Sequence, residues 1–172
     1  MDKLRHLIID NHGIGKVDLS NRPLESIISR GRLSLRNFNT ANIKILSSTE
    51  ISHIPIWPKL EMLNYHLELV YQRFENERFP ELKKISIRIP YQSASSDLSD
   101  LTALQSLIVN GPIRAEYIAA PNLKHLDLYD AQIDSIPKIL FNQIEVLVAP
   151  YDIAGPELLR FTELKVLHFG AM

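Results

Sequence analysis

Three side chains in the sequence could together carry out acyl transfer: Ser106, His125 and Asp127. A serine nucleophile, a histidine base and an orienting carboxylate form the triad of many hydrolases. However, the chain contains no G-x-S-x-G segment, which would expose the serine on a strained turn, and no evident oxyanion hole. Neighbouring polar residues also arise readily by chance on a solvated strand. A hydrolase is therefore a remote alternative, and we expect that the chain is not an enzyme.

The histidine, cysteine and glycine content argues against a metal or cofactor site. The six histidines show neither H-x-x-x-H nor H-E-x-x-H spacing, and His125 and His168 would lie two strands, or roughly 10 Å, apart. Because the chain has no cysteine, Cys-zinc sites, disulfides and Cys nucleophiles are excluded. The six glycines form no phosphate-binding loop. We expect no metal site, no cofactor-binding residue and no cofactor.

Charge and hydropathy argue against two further classes of partner. The chain has 19 Lys plus Arg against 20 Asp plus Glu, so there is no electrostatic case for nucleic acid. No window approaches 18 consecutive apolar residues, and the start MDKLRHLIIDNHG lacks the apolar core of a signal peptide, so we expect no membrane association. For the same reasons the predicted location is the cytoplasm. With 45% apolar residues among 172, the chain is predicted to form one globular domain.

An internal repeat organises the C-terminal two-thirds of the chain. Aligned on L-x-x-L-x-L, six segments share one register, and their first aliphatic positions are Leu60, Leu82, Leu104, Leu123, Ile144 and Leu164. The intervals between these positions are 22, 22, 19, 21 and 20 residues. Three residues earlier in each unit stand Trp57, Phe79, Leu101, Ala120, Phe141 and Phe161, each followed by a proline or a small polar residue. Because proline cannot continue a helical turn, each unit is expected to enter a strand at the same place.

Within each unit the strand residues alternate with a period of two. In the fourth unit Leu126 and Leu128 point one way, and His125 and Asp127 point the other. One strand cannot bury two leucines alone, but parallel strands stacked about 4.8 Å apart bury each other's aliphatic side chains in a continuous core. Several units are needed, because each buried Leu or Ile contributes only roughly 1.5–3 kcal/mol.

These units resemble leucine-rich repeats, most closely in the segment AQIDSIPKILFNQIEVL, residues 131–147. In the family this segment commonly has the pattern L-x-x-I-P-x-x-L-F-x-x-L-x-x-L. The residues at the named positions of this pattern are Ile133, Ile136, Pro137, Leu140, Phe141, Ile144 and Leu147. Residues 17–24 are similar to the family's L-x-L-S-x-x-x-L. The resemblance implies an α/β fold, a leucine-rich-repeat solenoid with a curved parallel sheet on its concave face and irregular turns and short helices on its convex face.

The chain departs from the family pattern in two respects. The family usually has an asparagine five residues after the second leucine of a repeat, where its side chain forms hydrogen bonds in the turn. This chain has Ala131 at that position and Asp152 in the next repeat, so the subfamily cannot be assigned. Residues 55–172 are predicted to hold about six repeats, whereas residues 1–54 form irregular N-terminal repeats or a cap. Either residues 4–9 or residues 14–19 supply the first repeat strand, and the two segments are close enough for a hairpin. Further along, Leu33-x-Leu35 and Ile43-x-Ile45 are both strand-like, and residues 43–45 are preferred as a repeat strand because they stand 20 residues before Leu63.

The outward strand positions define the predicted concave face. Ile108, Val146, Val148 and Val166 are aliphatic at positions that a solvated face usually fills with polar residues. An apolar patch with aromatic and cationic edges is typical of a protein-binding surface, although β-branched residues also simply suit crowded strands. The predicted partner-binding residues are Lys84, Arg88, Ile108, His125, Asp127, Tyr129, Val146, Val148, Tyr151, Val166 and His168. The leading hypothesis is a protein–protein interaction module, and by analogy with the family a recognition or adaptor subunit.

The C-terminal end suggests a second hypothesis. The sequence stops three residues after the strand position Phe169, with no further convex segment or polar cap. An uncapped solenoid end exposes apolar core and an unpaired strand edge. The alternative is therefore a structural or oligomerisation fragment that is joined through this edge to a copy of itself or to a continuation of the chain.

Overall fold

The computed structural model of the chain describes residues 3–10, 20–30, 32–33, 39–48, 50–51, 56–66, 72–89, 96–133, 135–149 and 155–169. These residues contain thirteen strands, which are β1 (His6–Ile9), β2 (Ser26–Ser29), β3 (Arg32–Leu33), β4 (Ile45–Ser48), β5 (Glu50–Ile51), β6 (Met62–His66), β7 (Gln72–Arg73), β8 (Lys84–Arg88), β9 (Ser96–Asp97), β10 (Ser106–Pro112), β11 (His125–Gln132), β12 (Val146–Ala149) and β13 (Val166–Phe169). Nine of them form one sheet in the order β1-β2-β4-β6-β8-β10-β11-β12-β13. Every adjacent pair is parallel, so the chain returns to the same end of the sheet after each strand and forms a solenoid.

Two columns of aliphatic side chains run through the solenoid and form its core. The first lies inside the strands, where for example Leu107 pairs with Leu126 and Leu126 with Leu147. Its members are Leu7, Ile27, Leu46, Leu63, Ile85, Leu107, Leu126, Leu147 and Leu167. The second stands three residues earlier and consists of Leu4, Leu24, Ile43, Leu60, Leu82, Leu104, Leu123, Ile144 and Leu164. Away from the two ends of the sheet, both columns are at most 1% exposed. The predicted stacking of aliphatic positions is therefore confirmed.

The bulky residues before the second column pack into a further layer of the core. Trp57 is fully buried and Phe79 is 2% exposed. At the C-terminal end the rings of Phe141 and Phe161 meet edge to face with their centroids 4.9 Å apart. The chain turns tightly after each such residue; the Leu60 N–H, for example, donates to the Trp57 carbonyl at 3.3 Å.

The described parts of the segments that connect the large strands contain little helix, so the sheet of the expected solenoid is present but its expected helical segments are few there. The described connections include one four-residue α-helix, α1 (Gly155–Leu158), and three short 3-10 helices at Thr40–Asn42, Ala115–Ile118 and Lys138–Asn142. Two further parallel pairs, β3 with β5 and β7 with β9, lie in these connections. In its described residues, the solenoid is therefore mostly strand.

The N-terminal third continues the same sheet, and two sequence predictions need correction there. β1 pairs in parallel with β2, a strand that the repeat pattern did not predict. β4 begins at Ile45, and Leu46 is the residue that pairs with Leu63, so the predicted strand at residues 43–45 was out of register. Ile45 faces away from the core and is 40% exposed. The other arm of the predicted hairpin, residues 14–19, lies outside the described residues.

Polar side chains link neighbouring units at the turns, in place of the asparagine ladder that the sequence lacks. The Asn76 Oδ1 accepts from the Thr102 hydroxyl at 2.9 Å, and the Asn122 amide donates to the Thr102 carbonyl at 2.7 Å. The Gln143 amide donates to the Ala120 carbonyl at 2.9 Å. These bonds satisfy backbone and side-chain groups that would otherwise lack partners where the chain leaves regular structure.

The residues that immediately precede the large strands form a further ladder, here called the charge row. From Arg5 to Glu145, the carbonyl of each residue accepts two N–H groups from the next unit; the Glu145 carbonyl, for example, accepts from Lys165 at 2.8 Å and from Val166 at 3.1 Å. The charge row consists of Arg5, Glu25, Lys44, Glu61, Lys83, Gln105, Lys124, Glu145 and Lys165. Because its charges alternate in sign, with a neutral Gln105 between two lysines, no two like charges are neighbours.

Ion pairs follow from this alternation. Lys83 lies 3.0 Å from Glu61, and Glu145 lies 3.0 Å from Lys124 and 2.8 Å from Lys165. The hydrogen bond from Lys165, together with that from Lys124, lowers the pKa of Glu145 to about 2. Exposed pairs of this kind contribute little to stability, so the row is better suited to favouring one order and register of the strands.

Candidate protein-binding face

The side chains that point away from the core form one continuous surface, here called the open face. On every strand of the large sheet they alternate with the buried columns, as the sequence predicts. One row of the open face is His6, Ser26, Ile45, Met62, Lys84, Ser106, His125, Val146 and Val166. The next row is Ile8, Ile28, Ser47, Asn64, Ser86, Ile108, Asp127, Val148 and His168.

Most of the predicted partner-binding residues lie in these two rows towards the C-terminal end. Val146 pairs with Val166, and Val148 pairs with Asp127 on one side and His168 on the other. Val166 is 51% exposed, whereas Val146 and Val148 are half-buried. We call these three valines the C-terminal patch. Ile108 lies in the same row as Val148 but two strands away, with Asp127 between them.

Tyr129 is placed by a β-bulge beside the C-terminal patch. Ile108 pairs with Asp127, but Asn110 pairs with Asp130, so β11 holds one extra residue over this interval. The Tyr129 N–H donates to the Asp127 Oδ1 at 3.0 Å, and the Tyr129 side chain is 45% exposed. A large aromatic side chain presented in this way is a common anchor in protein interfaces.

A glycine makes the strand next to this bulge possible. Gly111 in β10 has a φ of 103°, which residues with a Cβ rarely adopt, and a Cβ built there would lie 1.9 Å from the Ile89 carbonyl oxygen. The Ile89 N–H donates to the Asn110 carbonyl at 2.7 Å, so the two backbones approach closely at this point. Gly111 thus supports the end of the strand pair from which Tyr129 projects.

The cationic residues predicted for the site lie nearer the middle of the sheet. Lys84 is half-buried and pairs with Ser106, whereas Arg88 is exposed at the end of β8 and pairs with Asn110. Three strand intervals, roughly 14 Å, separate β8 from β12. Lys84 and Arg88 therefore flank the C-terminal patch without contacting it. The remaining predicted residue, Tyr151, lies outside the described residues.

A second apolar patch lies at the other end of the open face and was missed by the sequence analysis. Ile8 pairs with Ile28, and Ile45 pairs with Met62 on the adjoining strands. Their exposed fractions are 65%, 36%, 40% and 38%, respectively. We call these four residues the N-terminal patch. Their alternation with buried Ile27, Leu46 and Leu63 was the signal that could have found them, once β2 and the register of β4 were recognised.

The Ser106, His125 and Asp127 arrangement is only partly assembled. Ser106 and His125 are paired residues on neighbouring strands, as predicted. Asp127 follows on the same strand as His125, and its Oδ1 accepts the Tyr129 N–H. A triad needs the carboxylate to orient the histidine and needs donors for the oxyanion, and the observed Asp127 hydrogen bond serves its own backbone instead. Ser106 and His125 lie in the first row of the open face, and Asp127 lies in the second.

A depression of about 330 Å³ lies beside the charge row rather than on the open face. Its polar walls already have partners within the chain: Asn122 and Gln143 bond to backbone carbonyls, and Lys124 pairs with Glu145. Among the described residues, no group of three or more histidine and acidic side chains could hold a metal ion. In the same part of the chain, no helix is long and apolar enough to cross a membrane.

The chain matches no protein-family model, no curated protein and no solved structure. The evidence for the parallel-sheet solenoid and its open face is therefore the strand pairing, the burial pattern and the charge row of the chain itself.

Proposed function

We propose that the chain is an irregular leucine-rich-repeat protein whose open face binds a partner protein. The family proposal is supported by the L-x-x-L-x-L units, which stack in register, and by the two buried aliphatic columns. Four of the five intervals between first aliphatic positions are 20 to 22 residues and lie within the range of about 20–29 residues for such repeats, and the fifth, from Leu104 to Leu123, is 19 residues.

The observation that carries the binding proposal is the apolar composition of an exposed sheet face. Val146 pairs in register with Val166, Val148 lies two residues further along the same strand, and the exposed Tyr129 follows two residues after Asp127, the partner of Val148. Water-facing strands normally carry polar side chains at such positions, because exposed apolar area is unfavourable unless a partner covers it. Lys84 and Arg88 supply a cationic flank of the kind that surrounds many interface cores.

Affinity capture from the native cell tests this proposal. The bait is the whole chain, compared with variants Val148→Asp and Tyr129→Ala, whose unchanged far-UV circular dichroism would show that the domain remains folded. Each variant is expected to lose the captured partner, because the first places a charge in an apolar contact and the second removes an anchor. Ile139→Asp is the matched control, since Ile139 is 53% exposed but lies in a 3-10 helix outside the sheet. Retention of the same partner by both open-face variants would refute the site.

A further inference from the structure

The two halves of the open face carry charges of opposite sign. On β4, β6 and β8 the outward charged or basic side chains that the structure describes are His66, Lys84 and Arg88, with no acid among them. On β11, β12 and β13 the described outward acids are Asp127 and Asp130, and no lysine or arginine accompanies them. Within the described part of the chain, Lys84, Arg88 and Asp130 form no ion pair. These charges are therefore available to a partner.

Both halves also carry exposed apolar side chains. Ile45 on β4 is 40% exposed and Met62 on β6 is 38% exposed, whereas β12 and β13 carry the three valines of the C-terminal patch. β4 and β6 each have a strand on both sides, so the exposure of Ile45 and Met62 does not arise at an edge of the sheet. Each half thus combines an apolar patch with charges of one sign.

The strand order places these features symmetrically about β10. In the order β4-β6-β8-β10-β11-β12-β13, β8 with its cations stands one step before β10, and β11 with its acids stands one step after it. Two steps away are β6 with Met62 and β12 with Val146 and Val148. Three steps away are β4 with Ile45 and β13 with Val166. Strands at equal distances from β10 are therefore either opposite in charge or both apolar.

We propose that the partner of the open face is a second copy of the chain, packed face to face about a two-fold axis that runs parallel to the strands over β10. This inference rests on the proposed function, because it uses the same face. The axis reverses the strand order of one copy on the other, so that β8 lies over β11, β6 over β12 and β4 over β13. Such an interface is self-complementary, as a two-fold dimer requires. Sheets stacked in this way lie about 10 Å apart, a distance that their outward side chains fill.

The register within the strands brings particular charges together. Arg88, Asn110 and Asp130 are paired across the sheet in one row, so Arg88 of each copy faces Asp130 of the other. In the first row Lys84 lies opposite His125, and Asp127 stands two residues further along that strand. Burial of the apolar patches supplies most of the affinity, because exposed ion pairs contribute little.

The charges select this arrangement over the other face-to-face one. A two-fold axis that runs across the strands would keep the strand order and place β8 of one copy on β8 of the other. Arg88 would then face its own equivalent, and like charges that oppose one another weaken a contact. In the reversed order the seven strands span about 29 Å across the sheet. A contact of this extent belongs to the smaller specific interfaces, so the dimer should form at high protein concentration.

Sedimentation velocity of the whole protein and of two charge-reversed variants tests the arrangement. The unaltered protein should dimerise as its concentration is raised to about 0.5 mM, a range suited to small interfaces. Arg88→Glu and Asp130→Arg, each alone, should weaken the dimer about tenfold, because a dimer holds two such contacts and one exposed ion pair corresponds to about two- to fivefold. An equimolar mixture of the two variants should dimerise like the unaltered protein, since each altered charge then meets its opposite. Lys138→Glu, in a 3-10 helix outside the sheet, is the matched control and should change nothing.

Crosslinking through single cysteines tests the strand order without altering any charge. The chain has no cysteine of its own, so each introduced thiol is unique. Met62→Cys mixed with Val146→Cys should form a covalent dimer with a short bis-maleimide, because β6 lies over β12 in the proposed pair. Neither variant should crosslink to itself, since the two equivalent thiols would lie four strand intervals, roughly 19 Å, apart. Ile139→Cys mixed with Val146→Cys is the control, because position 139 lies outside the sheet.

Three results would overturn the pairing: a monomer at every concentration, a dimer that both charge reversals leave intact, or crosslinking of Met62→Cys to itself. The proposed function can be judged separately. Capture of a different protein that Val148→Asp abolishes, together with a monomeric purified chain, would support the open face as a binding site and overturn its self-pairing. A dimer that responds to the charge reversals, with mixed crosslinking of positions 62 and 146, would identify the second copy as the partner.

Discussion

Truncation of one buried leucine in the middle of the sheet should cost much more stability than truncation of its exposed neighbour. Leu126 is 1% exposed and pairs in register with Leu107 and Leu147, both fully buried. Leu126→Ala removes three carbon groups at roughly 0.8 kcal/mol each, and the cavity that remains adds to this loss. We therefore expect the free energy of unfolding to fall by about 3 kcal/mol, which corresponds to a Tm lower by roughly 6–12 °C for a chain of this size.

The matched control is His125→Ala, one residue earlier and exposed on the open face. This substitution should change the free energy of unfolding by no more than about 0.5 kcal/mol. Urea unfolding is followed by far-UV circular dichroism and by fluorescence of Trp57, the single tryptophan, which is fully buried and should shift to longer wavelength on exposure. Similar losses in the two variants, or a larger loss for His125→Ala, would refute the assignment of the two faces.

Two further predictions concern features outside the aliphatic columns. Gly111→Ala should lower the free energy of unfolding by about 1–3 kcal/mol or more in the same urea assay, because a Cβ at this position cannot fit against the Ile89 carbonyl. Ser106→Ala, on the same strand, is the control and should have a smaller effect. The lowered pKa of Glu145 means that its carboxylate stabilises the fold above about pH 4.5, and that this contribution is lost as the pH falls towards 2. Glu145→Gln should therefore flatten the pH dependence of stability between these values; a curve identical to that of the unaltered protein would contradict the role of Glu145 in the charge row.

The aliphatic columns of the C-terminal two-thirds could be predicted because their spacing repeats in the sequence itself. Leu60, Leu82 and Leu104 are separated by equal intervals, and each is followed by the same alternation of side chains. Period-two alternation fixes which side of a strand is buried once one buried residue is known, so the open face followed directly.

The N-terminal strands were harder to predict because their intervals are irregular. Ile43 and Leu60 are only 17 residues apart, so a search for intervals of about 20 residues placed β4 in the wrong register. In β2 the apolar Ile28 faces outward beside the buried Ile27, which hides the alternation. Because these strands were not predicted in the correct register, the N-terminal patch was not predicted either.

Other features depend on contacts between distant residues and could not be read from local patterns. The positive φ of Gly111 reflects the approach of Ile89, which is 22 residues away. The bulge at Tyr129 is visible only when β10 and β11 are paired. In the parts of the connections that the structure describes, 3-10 helices and short strand pairs outnumber the helices that the family resemblance implies. By contrast, the charge row could have been read from the sequence, since its members stand at one fixed position in every unit.

Photo-crosslinking in the native cell tests most directly whether the open face is a protein-binding surface. A photoreactive phenylalanine analogue is placed at position 148 in one variant and at position 139 in another, so that the C-terminal patch is compared with an exposed site outside the sheet. The account predicts a specific protein adduct from position 148 that Tyr129→Ala weakens, and no corresponding adduct from position 139. The same adduct in equal yield from both positions, or an adduct from position 139 alone, would contradict it.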